Sequence, residues 1–214
     1  MKLIPTRTDH PGADPLPAEV RRLLHVLEQD WRQMTALAGN RSDALPDRFD
    51  PARLDAVLPS SFVVQRTAPG SLRLRVAGQR LHDLLRMDPR GMPLTVFFRD
   101  AAKDTAARLA EMVMDGPAIV GLPLVSRAPL LGRALRGEML LLPMRDAEGR
   151  ITRAIGAVVT ATDPAPGRSL RFTLDPARAP RCDLQHMDRA ERRGPRAARA
   201  GKPAPKLRLV VNND

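Results

Sequence analysis

The sequence predicts an α+β fold led by a long amphipathic helix, and three stretches carry that expectation. Residues 138–160, EMLLLPMRDAEGRITRAIGAVVT, read as a β-hairpin: an apolar run at 139–142, a β-branched run at 151–159, and Asp146, Glu148 and Gly149 between them as turn formers. Residues 61–76 read as a second strand pair, because Leu72, Leu74 and Val76 alternate with Arg73 and Arg75 after a turn at 68–70. Val20, Leu24, Leu27, Trp31, Met34 and Ala38 recur at helical spacing and share one face of a helix that stops at Gly39.

In chain order, residues 1–15 are Pro-rich and irregular. The helix from about residue 16 has a stripe wide enough to require an apolar surface, either its own domain or a second copy. After a linker at 40–48, Asp50 as N-cap and Pro51 at the first helical position start a short helix with Leu54, Val57 and Leu58 on its apolar edge. The strand pair at 61–76 follows, then a short helical piece at 79–86 with Leu81, Leu84 and Leu85 inward. Pro89, Gly91 and Pro93 punctuate 87–98, a stretch of turns with Leu94, Val96, Phe97 and Phe98 packed inward. Asp100 is expected to cap a further helix, whose core stripe is Ala102, Ala106, Leu109 and Val113 and which ends at Gly116 and Pro117. Strands at 118–127 and 135–144 lead into the hairpin. On its second strand neither face is polar, as expected where a strand is covered on both sides.

The 214 residues hold one domain with a remainder. The division is 1–15 as a disordered N-terminus, 16–160 as the domain with its N-terminal helix, and 161–214 as a basic, mostly disordered tail. The formal charge is +11, and the tail carries 12 of the 35 basic and 6 of the 24 acidic residues, more than half of that excess. Arg189, Arg192, Arg193, Arg196 and Arg199, interleaved with Ala, Gly and Pro, are the candidate partner-binding residues. They suit phosphates, an acidic protein or an anionic surface alike. With one Trp, five Phe and no Tyr, base-stacking platforms are not expected. One cysteine, Cys182, excludes an internal disulfide and fits a reducing cytoplasm. Neither a secretory leader nor a span of the roughly 20 apolar residues a bilayer requires is visible.

No phosphate-binding loop, nucleophile elbow, metalloprotease helix or paired Cys motif occurs, and His10, His25, His82 and His186 are scattered. No catalytic group is therefore expected. Asp100 and Asp104 share a helix face, which an acid pair would need, but the preferred reading is Asp100 as a cap and Asp104 as a solvated carboxylate. Arg73 and Arg75, with Arg66 nearby, form a basic line on the wet side of a strand.

The order of two strands, short helices, one longer helix and three strands resembles the PAS domain, a five-stranded antiparallel sheet with helices on one face. The likeness extends to sequence over about residues 27–160. It is carried by LPDRFDPARLDAVLP at 45–59, LRLRVAGQRLHDLLRMDPRGMPL at 72–94 and GEMLLLPMRDAEGRITRAIGAV at 137–158. These stretches are similar to stand-alone, cytoplasmic bacterial PAS-type proteins. The resemblance implies sensing or regulation by protein contact, with small-ligand binding an option and no catalysis. It names no cofactor. His82 is the pocket candidate, although Leu81, Leu84 and Leu85 would turn it toward solvent. The implied partners are a regulatory protein and a second copy through the N-terminal helix and sheet, with nucleic acid at the tail as the alternative.

Overall fold

The computed structural model describes residues 16–37, 45–127, 134–163 and 169–185. Helix α1, Ala18–Leu37, buries Val20, Leu24, Leu27 and Trp31 of the expected stripe and Leu23 besides, while Met34 is half-buried and Ala38 and Gly39 lie outside the described residues. Two 3-10 turns follow, Pro51–Leu54 and Leu58–Ser60, and the Asp50 side chain caps the first by accepting from the Ala52 amide at 3.0 Å. Strands β1, Ser61–Ala68, and β2, Ser71–Ala77, form the first pair across Gly70, whose φ of +74° is the left-handed conformation that favours glycine there. Helix α2, Gln79–Leu85, a 3-10 turn at Leu94–Phe97 and helix α3, Asp100–Asp115, lead to β3, Ala118–Ser126. Strands β4, Arg136–Arg145, and β5, Ile151–Thr160, make the hairpin.

The sheet is antiparallel, in the order β2-β1-β5-β4-β3, and two apolar layers share it. On the inner face, Phe62, Leu74, Leu122, Met139, Leu141 and Val158 pack against α2, α3 and the Leu94–Phe97 turn. On the outer face, Ile119, Leu140, Leu142, Met144, Ile155, Ala157 and Val159 pack under α1. Because β4 and β5 are covered on both sides, successive residues are apolar regardless of parity. Phe62 sits opposite Gly156 on β5 and its ring fills the space a side chain would take: a Cβ on Gly156 would lie 2.5 Å from Phe62 Cζ.

Two expectations need correction. Two further strands, β6, Phe172–Leu174, and β7, Arg181–Leu184, extend the sheet to seven, both pairing with β3 and both lying past residue 160, where the sequence predicts a mostly disordered tail. Runs of three and four residues have no period of their own; the open edge of β3 supplies their order. Phe172 enters the inner core, fully buried, and its carbonyl accepts from the Arg99 amide at 2.8 Å. Helices α2 and α3 lie on one face of the sheet, as expected, and α1, which precedes them, covers the other. Finally, Arg99 occupies the N-cap of α3, and Asp100 is its first helical residue, paired at 2.7 Å with Lys103.

Candidate functional site

The inner face is filled by side chains. Phe62, Phe97, Phe98 and Phe172 are all at most 1% exposed, and the Phe62 and Phe97 rings lie 5.8 Å apart. Among the described residues, the buried polar side chains Asp30, Ser60, Ser61, Ser126, Arg145, Asp146 and Asp175 all stand outside this cluster. A flavin or haem would have to displace aromatic rings and would meet apolar groups. His82 does not reach this interior. It is half-buried on α2, with Nε2 3.8 Å from Asp88 Oδ1. Asp88 in turn is held by the Arg90 guanidinium, which lowers its carboxyl to about 2.

A polar cleft of about 350 Å³ opens beside α2 and the end of β5, lined in part by Ser60, Arg80, Asp83, Arg86, Thr160 and Asp163, and His82 is not part of its lining. Its charges are of both signs, and Arg80 already approaches Asp163 at 3.9 Å. Among the described residues no group of three or more His, Cys, Asp or Glu side chains is placed to hold a metal ion. Asp100 and Asp104 are both exposed on α3.

The outer face is where polar side chains do structural work. Trp31, 1% exposed, donates its indole N–H to the Pro143 carbonyl of β4 at 2.8 Å. Strand β3 pairs with β4 only up to Leu141, so this carbonyl lies past the ladder's end and the indole supplies its partner. Asp30, also buried, is paired with Arg53 Nε at 2.8 Å. Further along the sheet, Arg181 of β7 grips Glu28 of α1 through two bonds, Nη1 to Oε2 at 2.7 Å and Nη2 to Oε1 at 2.6 Å, and its Nε reaches Asp183 at 2.6 Å. Burial pushes the Glu28 carboxyl up, but the guanidiniums of Arg181 and Arg32 outweigh it and hold the carboxyl below its ordinary value. Beside this latch, Arg178 donates to Glu138 of β4. Helix α1 is thus held across β4, β5 and β7 by an apolar stripe with a hydrogen bond or ion pair at several points along it.

Toward the β2 edge the outer face is open. Arg73 is opposite Gln65 and Gln65 opposite Arg153, one row across three strands, and Arg75 Nε donates to Gln65 Oε1 at 2.9 Å. Arg66 does not belong to this row. It lies on the inner parity, opposite Leu72, and bridges Glu111 and Asp115 of α3. Cys182 is on β7, opposite Val120, with burial raising its thiol pKa first and the Asp183 charge second. Arg189, Arg192, Arg193, Arg196 and Arg199 lie outside the described residues. No described helix is long and apolar enough to cross a membrane.

A family model for the PAS domain matches residues 21–159. No curated protein matches as a relative. Among solved structures, an RNA-binding light-oxygen-voltage receptor is similar at 22% identity and a TM-score of 0.38, over 53% of this chain and 33% of that one. The Vibrio cholera VqmA complex with ligand and DNA aligns at 18% identity and 0.38, over 56% and 54%. The Aureochrome1 light-oxygen-voltage domain aligns at 12% and 0.36, over 56% and 86%. The chain therefore spans about a third of the first of these proteins and about half of the second.

Proposed function

This chain belongs to the PAS domain family, and from that premise we propose that it is a sensory or regulatory module that acts by protein–protein contact at the outer face of its sheet, without catalysis. One observation carries the proposal: α1 is fastened over half of that face by Trp31 and the Glu28–Arg181 pair, while the half toward β2 is left open. A partner reaching this face meets a rigid sheet, a helix that its binding can shift, and ion pairs that report the shift to β7. The same surface offers a route to a homodimer, and the setting is the cytoplasm.

Native mass spectrometry with a visible spectrum of the freshly purified protein tests the contact reading against a ligand-sensing one. Empty protein accords with contact signalling; a stoichiometric small molecule or a flavin or haem absorbance overturns it. Size exclusion with light scattering tests the homodimer, which fails if the full chain and a variant lacking residues 16–40 are both strict monomers.

The second reading places nucleic acid on the basic tail. It rests on the run of arginines at 189–199, and its mark is duplex DNA binding that weakens steeply with salt and is lost on truncation after Thr160.

A further inference from the structure

The row Arg73–Gln65–Arg153 and its neighbour Arg75 bring three arginines together on one open sheet face. Many arginines elsewhere close ion pairs, as Arg53 does with Asp30, Arg66 with Glu111, Arg178 with Glu138 and Arg181 with Glu28, while Arg21, Arg86 and Arg108 stand singly on α1, after α2 and on α3. Among the described residues, Arg73, Arg75 and Arg153 have no carboxylate partner. Arg73 Nη1 donates to the Gly91 carbonyl at 2.8 Å and Arg75 to Gln65. Arg73 and Arg153 each stand opposite Gln65, two strand intervals apart, so their like charges repel across roughly a Debye length with no carboxylate between them. Such an arrangement is relieved when carboxylates are brought to it.

The patch also has an apolar shoulder. Val63 and Val76 are opposite one another on the same outward parity, one step along the strands from Gln65. Val76 is 56% exposed on β2. The combination of guanidiniums with aliphatic surface, and with no aromatic ring in the row, suits a segment that is itself both acidic and apolar. It does not suit a nucleic acid, which would leave the valines wet and find nothing to stack on. The spacing agrees. Arg73 and Arg153 are separated by two strand intervals, about 9.5 Å, close to the about 10.5 Å between residues seven apart on a helix.

We propose that the open half of the outer sheet face, with Arg73, Arg75 and Arg153 around Gln65, docks an acidic amphipathic helix of a partner protein. Carboxylates one heptad apart engage the arginines on either side of β1, and the helix's apolar edge covers Val63 and Val76. The proposal rests on the contact reading given above and adds the chemistry of the partner to it.

The test uses the full chain, isotopically labelled, and a synthetic amphipathic peptide of about 20 residues with glutamates at heptad spacing, long enough for a stable helix. Resonances of Gln65, Arg73, Arg75, Val76 and Arg153 should move on titration. R73Q/R75Q/R153Q should weaken binding by about tenfold or more, as loss of three charge-assisted contacts implies. R21Q/R86Q/R108Q, with the same net charge, should stay within twofold, which separates the patch from general attraction. The proposal is overturned if the two triple variants weaken binding equally, or if the shifts fall outside the row. It is also overturned if duplex DNA binds the row more tightly than the peptide, or if the row shifts on self-association alone. Shift mapping on the unmutated chain decides the matter even if a variant does not fold. A native partner captured through the outer face but indifferent to R73Q/R75Q/R153Q would remove this proposal and leave the contact reading intact. Absence of any partner on that face would remove the contact reading itself.

Discussion

Trp31 of α1 and Pro143 of β4, 112 residues apart, are joined by an indole-to-carbonyl hydrogen bond of 2.8 Å at a site with almost no solvent. The bond fixes the helix in register against the strand at the point where the β3–β4 ladder has ended. Replacing Trp31 by Ala removes both the ring and the donor, and should lower unfolding free energy by about 3–5 kcal/mol. Trp31→Phe keeps most of the ring but leaves the carbonyl without its partner, for a loss of about 1–3 kcal/mol. Urea unfolding of the two variants checks the order; a Trp31→Phe variant as stable as the unmutated protein would mean that the hydrogen bond contributes nothing, and equal losses would mean that the ring's packing contributes nothing.

Gly156 and Phe62 form a second fixed relationship. Since an added Cβ would collide with the Phe62 ring and approach the Leu140 carbonyl, Gly156→Ala should destabilise by about 1–3 kcal/mol through overpacking. Phe62→Ala should cost about 3–5 kcal/mol as a cavity. The double variant should fall short of the sum, because the alanine methyl enters space the ring has left. Full additivity in a double-mutant cycle would contradict the packing described.

The Glu28–Arg181 pair should make α1 docking sensitive to acid. The folded carboxyl lies below its ordinary value of 4.5, so its contribution is complete above that pH and disappears as pH falls through the lowered folded value. Glu28→Gln should cost about 1 kcal/mol at neutral pH, a modest figure because Arg181 is 38% exposed and partly screened. Measured by urea midpoint, the gap between the two proteins should be constant from pH 7 to about pH 5 and then close on further acidification. A gap that widens in acid would have the sign wrong.

The same substitution should loosen β7. Four-residue Arg181–Leu184 is bonded along β3 and tied to α1 by a single side chain, so hydrogen exchange at Cys182 and Leu184 should accelerate in Glu28→Gln while β4 and β5 stay protected. Uniform acceleration through the sheet would place β7 in the same cooperative unit as the hairpin.

Much of this fold is legible in local pattern. The α1 stripe, the Asp50 cap and the unbroken apolar run of 139–142 each follow from residue spacing or turn chemistry, and each has its place in the structure. What local pattern misses is set by distant partners. Phe172 lies in a Pro- and Arg-rich stretch, and only the open side of β3 and the Arg99 amide give it a place in the core. Glu28 looks like any solvated helix charge until Arg181, 153 residues away, arrives beside it. Arg66 is close to Arg73 and Arg75 in sequence, yet strand parity sends it to the opposite face, where α3 supplies its acids. Strand alternation, applied to both members of a pair, would have separated them. The row through Gln65 needs the register of three strands, which no single stretch encodes.

Site-specific photo-crosslinking in living cells addresses the central claim most directly. A photoreactive residue is placed at Gln65 or Arg153 on the outer face, and at Asp104 or Arg108 on the exposed side of α3. Discrete protein adducts from the two outer-face positions, absent from the two on α3, are the expected result. Adducts from α3 alone, or none from either face, would contradict a module that works by protein contact at its sheet.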